Sequence, residues 1–216
     1  MATENNHSAT HLLHAALKQV VGEHVNQKGS LVNDSYLRFD ISHFAKLTET
    51  EIQQVELIVN EKIRAQIPLK EERNVAYQKA LDSGVTALFG EKYGDFVRVI
   101  TFDDQYSKEL CGGTHVKNTA QIGLFKIISE GAVAAGVRRI EAITGEQALA
   151  FYNEQAALVT SIKEKLKAPV DILKSIDQLV EENLKLKKSI EVFNHTAAAN
   201  IKQEILKEIQ MIICFF

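Results

Sequence analysis

Three features of the 216-residue sequence predict an α+β fold: an antiparallel sheet with packed helices, followed by an α-helical hairpin or coiled-coil arm. Up to residue 145, helix-like and strand-like patterns follow one another without the strict strand–helix alternation of a doubly wound sheet. The glycines lie in this first part, whereas beyond residue 146 the only glycine or proline is Pro169. In that second part apolar residues recur every seven positions. The expected organisation is a domain over 1–145 and a helical arm over 146–216.

The elements follow in order. "HSATHLLHAALKQVVGEHV" carries Ala9, Leu12, Leu13, Ala16, Leu17 and Val20 at helical spacing, with Gly22 as terminator. In "SLVNDSYLRFDIS", Leu37, Phe39 and Ile41 alternate with polar residues after an Asn33-Asp34-Ser35 turn, a hairpin signature. Thr48 with Glu51 forms a capping box ahead of Ile52, Val55, Ile58, Val59 and Ile63, a helix that must stop before Pro68. A short helix is expected around Ala76–Leu81. The strands "FVRVITF", "YSKEL", "GLFKIIS" and "VRRIEAIT" come next. One helix is expected over 146–167, broken at Pro169. In a second, Ile172, Leu179, Leu186 and Phe193 form one heptad series and Ile176, Asn183 and Ile190 another. A short break favours folding back as a hairpin; self-association through an intermolecular coiled coil is the alternative.

Composition narrows the function classes. Hydrophobic content of 45% and charged content of 25% suit a soluble globular chain. A formal net charge of −3 means that any nucleic acid must be met by a local basic patch. No apolar run approaches the ~20 residues needed to cross a bilayer, so no membrane partner is expected, and no secretory signal opens the chain. The terminal "MIICFF" is too short to span. Two cysteines, Cys111 and Cys214, fit a reducing, cytoplasmic compartment better than a disulfide framework.

The chemistry concentrates in two short motifs. "CGGTHV" sets Cys111 four residues before His115, and "HSATH" sets His7 four residues before His11. On a helix, residues four apart lie on one face with Cβ atoms ~5–6 Å apart, close enough to share a metal ion. His14 competes with His7 as the partner of His11. Gly112 and Gly113 let the loop backbone fold tightly or approach a ligand. A set of three imidazoles and one thiolate suits Zn2+, and spacing alone leaves open whether such a site is structural or catalytic. His24, His43 and His195 are read as ordinary surface or core residues.

In order and spacing, "HSATHLLHAAL", "QKGSLV", "LRFD", "LFGEKYGD", "VRVI", "ELCGGTHV" and "AAGVRRIEAITG" resemble the editing domain of alanyl-tRNA synthetases and the related free-standing deacylases. More distantly the segment resembles threonyl-tRNA synthetase. The match covers roughly residues 5–145, with Ser8 standing where Thr is expected in many relatives. The resemblance implies an aminoacyl-tRNA deacylase that hydrolyses the ester of seryl- or glycyl-tRNA(Ala). It makes His7, His11, Cys111 and His115 the zinc ligands and places Thr10, Gln27, Gly112 and Gly113 at the substrate pocket. Residues 146–216 then resemble the arm leading to a C-terminal globular domain, and the chain is expected to be a fragment lacking aminoacylation.

Physical logic agrees: apolar contact discriminates near-isosteres only ~10²-fold, so a second, hydrolytic site is useful. Contacts to the tRNA acceptor end are expected from Lys92, Arg138 and Arg139, with Arg98, Lys117 and Lys126 as further cations. Because Arg138 and Arg139 are adjacent in a strand, at most one faces the site. The competing reading is a zinc-stabilised tRNA-binding or assembly module that hydrolyses nothing.

Overall fold

The computed structural model describes residues 1–87, 93–167 and 170–213. Lys92, Pro169 and Cys214 lie outside the described residues. The chain divides into two compact units, Met1–Asn153 and Glu154–Phe216.

The first unit contains α1 (Ala2–Val21), β1 (Gln27–Val32), β2 (Leu37–Ser42), α2 (Glu49–Arg64), β3 (Lys70–Ala76), α3 (Tyr77–Asp82), β4 (Phe96–Phe102) and β5 (Ser107–Leu110). A 3₁₀ turn (Thr119–Ile122), β6 (Phe125–Ala134), β7 (Val137–Thr144) and the start of α4 (Gly145–Leu166) complete it. The strands form two antiparallel sheets, ordered β1-β2-β7-β6 and β3-β4-β5. The α+β class expected from the sequence is therefore observed.

Local chemistry accounts for the element boundaries. The side-chain carbonyl of Asn33 accepts from the N–H groups of Ser35 and Tyr36, both at 2.8 Å, closing the β1–β2 turn as an Asx motif. Asn6 donates to the Asn33 carbonyl at 2.9 Å and so ties this hairpin to α1. At the start of α2 the capping box is complete: Thr48 Oγ1 accepts from Glu51 N–H, and Glu51 accepts from Thr48 N–H at 2.7 Å.

One core spans both sheets. Leu12, Leu13, Ala16 and Leu17 of α1 are fully buried against Leu37, Phe39 and Ile41 of β2, Val55 and Val59 of α2, and Ile100 and Phe102 of β4. The three-stranded sheet separates this core from a smaller cluster of Val97, Val99, Leu110 and Ala80. Alternation along β4 therefore assigns Ile100 and Phe102 to the face toward α1, and Val97 and Val99 to the opposite one.

β3 is the strand the sequence reading omits. "KEERNVA" has almost no apolar alternation and is largely exposed along its length. It exists through backbone pairing to β4, as an edge strand whose charges discourage further pairing.

In the second unit, α5 (Ile172–Ile213) is a helix of 42 residues, about 63 Å long at ~1.5 Å per residue. Its heptad residues Leu179, Leu186, Ile190 and Phe193 are exposed by 53, 55, 58 and 72%. The arm is helical as expected, and among the described residues no folded-back helix covers this seam. Nor is any helix among them long and apolar enough to cross a membrane.

Replacing Thr48 with Ala removes one half of the capping box and is expected to destabilise the first unit by about 1 kcal/mol. A lower urea midpoint at unchanged slope is the expected readout.

Candidate metal centre

Two segments meet to form the site. α1 supplies His7 and His11 one turn apart, and the loop after β5 supplies Cys111 and His115. The four donor atoms all lie within 4.8 Å of one another. Cys111 Sγ is 3.4 Å from His7 Nε2 and 3.3 Å from His115 Nε2. Donors 2.0–2.3 Å from a shared tetrahedral ion would stand about 3.3–3.6 Å apart, so both separations match the edge of such a shell.

The second nitrogen of each imidazole is also held. His7 Nδ1 faces the Thr114 carbonyl at 3.1 Å, His115 Nδ1 faces Ser8 Oγ at 3.2 Å, and His11 Nδ1 is 2.6 Å from Glu109 Oε2. Ser8 Oγ also accepts from Val116 N–H at 3.1 Å, clamping the loop to α1. Partners on Nδ1 leave Nε2 as the coordinating atom and fix each ring's orientation.

Glu109 binds two histidines at once, with its other oxygen 2.7 Å from His14 Nδ1. Register explains its position: it pairs with Ile100 across β4–β5 and so shares the face toward α1. Burial alone would raise its pKa, but the charge and hydrogen bonds of His11 and His14 hold it well below the usual carboxylate range. For His11, burial disfavours the imidazolium, yet the adjoining Glu109 and Cys111 raise its pKa to about 10. Burial likewise pushes the Cys111 thiol up, while hydrogen bonds from His11, His115 and His7 bring it down to about 3. Burial lowers the pKa of His115 and keeps it neutral. Two buried anions, the Cys111 thiolate and the Glu109 carboxylate, thus accompany the three imidazoles. A divalent cation balances both, so the donor set fits a metal ion in charge as well as in spacing.

The loop requires glycine at one position. A Cβ on Gly113 would lie 2.1 Å from His7 Cε1, whereas one on Gly112 would meet nothing within 4 Å. The N–H of Gly113 donates to Cys111 Sγ at 3.5 Å, so this group is committed to the sulfur. Arg98 braces the loop, donating to the carbonyl oxygens of Cys111 and Gly113.

A cleft of about 740 Å³ opens over the cluster, and Thr10, Gln27 and Gly112 line it beside His7, His11 and Cys111. The structure thereby brings together the expected pocket residues; Gly113 sits behind His7. Arg138 and Arg139 are elsewhere. Arg139 makes a two-point ion pair to Asp40, its cross-strand neighbour, at 2.8 Å for each bond. Arg138 pairs with Glu130 on β6 at 2.5 Å. Both therefore serve the four-stranded sheet, and neither lines the cleft. Glu109, His14, Ser8 and Arg98 were not singled out from sequence as parts of the site. The two-residue step from Glu109 to Cys111 is the signal that places both on one strand face.

Residues 97–141 match the family described as the threonyl and alanyl tRNA synthetase second additional domain. Over nearly its whole length the chain is homologous to a segment of alanine–tRNA ligases. It is 57% identical to the enzyme of Cytophaga hutchinsonii over 210 residues, 97% of this chain and 24% of that one. With the Flavobacterium psychrophilum enzyme it shares 57% over 211 residues, and with that of Pseudothermotoga lettingae 48% over 221. These alignments cover 98 and 100% of this chain and 24 and 26% of the relatives. The chain spans about a quarter of the length of the relatives it matches.

Two substitutions test the loop geometry. Gly113→Ala should displace His7 and lower metal affinity about 10- to 100-fold, while Gly112→Ala should leave it unchanged, as read by competition with a chromogenic chelator. Glu109→Ala should weaken the metal by a similar factor, because it removes the anchor of His11.

Proposed function

We propose that this chain carries an aminoacyl-tRNA editing site that hydrolyses the ester of seryl- or glycyl-tRNA(Ala), with Zn2+ held by His7, His11, Cys111 and His115. The observation that carries this reading is the junction of two features: a complete four-donor cluster, and a cleft over it lined by Thr10 and Gln27. Homology to a segment of alanine–tRNA ligases supplies the substrate class.

Zinc bound there supplies Lewis acidity toward an ester carbonyl or a water molecule. The chain's own residues supply selection and orientation. Thr10 Oγ1 donates its proton to the Asn6 carbonyl at 2.9 Å, which leaves its lone pairs as acceptors at the cleft wall. A seryl hydroxyl can donate to that oxygen; an alanyl methyl cannot. Gln27 offers an amide, donor and acceptor together, on the other side of the cleft. Glu109 and Ser8 hold the rings of His11 and His115 so that the pocket is formed before substrate arrives.

One observation favours a second reading, a zinc-stabilised tRNA-binding module without hydrolysis: four protein donors fill a tetrahedral shell, the pattern of closed structural sites. Deacylation of seryl- and alanyl-tRNA(Ala), with metal content measured on the same sample, separates the two. Release of serine but not alanine at about one zinc per chain, with loss of both zinc and release in Cys111→Ala, is the expected result. Full zinc occupancy without release would establish the second reading.

A further inference from the structure

Beside the metal cleft lies a second concavity that the cluster does not use. It has a volume of about 420 Å³, within the range of small-molecule sites, and Arg73, Asn74, Phe96 and Thr114 line it. The two concavities are continuous: Phe96, Val97, Arg98 and Gly112 border both. Phe96 has the same parity along β4 as Arg98, Ile100 and Phe102 and therefore shares their face. Phe102 is fully buried, but Phe96 is 67% exposed.

The opposite wall is irregular where a regular strand would be expected. The β3–β4 register shifts between Glu72 and Val75, and Asn74 has a φ of +54°. Such a bulge re-aims side chains and is frequent beside functional sites. The residues it displaces, Arg73 and Asn74, are the ones on the groove wall. No acidic side chain among the described residues lines the groove. A single carboxylate, Glu71, serves both Arg73 and Arg98, so the rim keeps an excess of positive charge.

An exposed aromatic face, an amide and a cationic rim form a nucleotide-binding set: the ring stacks on a base, the amide reads its edge and the guanidinium meets phosphate. We propose that this groove binds the 3′-terminal nucleoside of the acceptor strand. Phe96 stacks on its base and Arg73 meets the adjoining phosphate, so that the ribose ester reaches across Gly112 to the metal cluster. The assignment of acceptor-strand RNA rests on the editing reading above; the groove's nucleotide chemistry does not.

The chain contains no tryptophan, so Phe96→Trp installs a single fluorophore at the stacking position. Titration with the trinucleotide cytidylyl-cytidylyl-adenosine is expected to quench it saturably. The same trinucleotide with an abasic terminal residue should bind at least about ten-fold more weakly. Arg73→Ala in the Trp background should weaken binding and flatten its salt dependence. Absence of quenching at millimolar trinucleotide, or equal quenching by the abasic form, overturns the proposal. In the deacylation assay, Phe96→Ala should raise KM about ten-fold with kcat within two-fold, and unchanged kinetics also overturn it. Base-dependent quenching in a chain that releases no serine would leave the groove standing and remove the editing reading alone.

Discussion

Glu109, a carboxylate with no access to water, is held between His11 and His14 at 2.6 and 2.7 Å, and the site depends on this contact. An unpaired buried carboxylate is unfavourable by several kcal/mol. The strand that carries it can therefore pack on α1 only if the helix presents imidazoles at that point. Two residues further on lies Cys111, so the ion pair that fixes β5 against α1 also fixes the thiolate over His7 and His11. Electrostatics of the core and geometry of the cluster are one arrangement.

The three-stranded sheet extends this arrangement outward. Its inner face runs from Phe102, buried in the core, through Ile100 and Arg98 to Phe96 at the surface. Along that line the environment changes from apolar packing to loop bracing to an open aromatic ring. One strand thus connects the most rigid part of the unit with its most accessible wall, giving the cleft a firm floor and an exposed rim.

Much of this was legible in the sequence, and the exceptions have physical reasons. "FVRVITF" and "VRRIEAIT" alternate clearly, and β4 and β7 occupy those stretches. "KEERNVA" carries no such signal because an edge strand is specified by its neighbour's backbone more than by its own side chains. The cluster was readable because metal ligands are rare residue types at fixed spacing. Arg138 and Arg139 were not, since a charge does not announce its partner: Asp40, which neutralises Arg139, is 99 positions away. The heptads of α5 predict a helix correctly but do not say what covers it.

Cys111 is 104 positions from His7, and Ser8 is 107 positions from His115. An ion bound by the four ligands is therefore a cross-link over nearly half the chain. Closing a loop of that length covalently removes unfolded-state entropy worth about 4–5 kcal/mol in the chain-entropy model. Synthesis imposes an order on this. A nascent chain offers only the imidazoles of α1 until the segment through His115 has been made, and two ligands hold an ion far more weakly than four. Metal capture is thus tied to completion of the fold, and the ion acts as a clasp that closes once both ends of the strap are present.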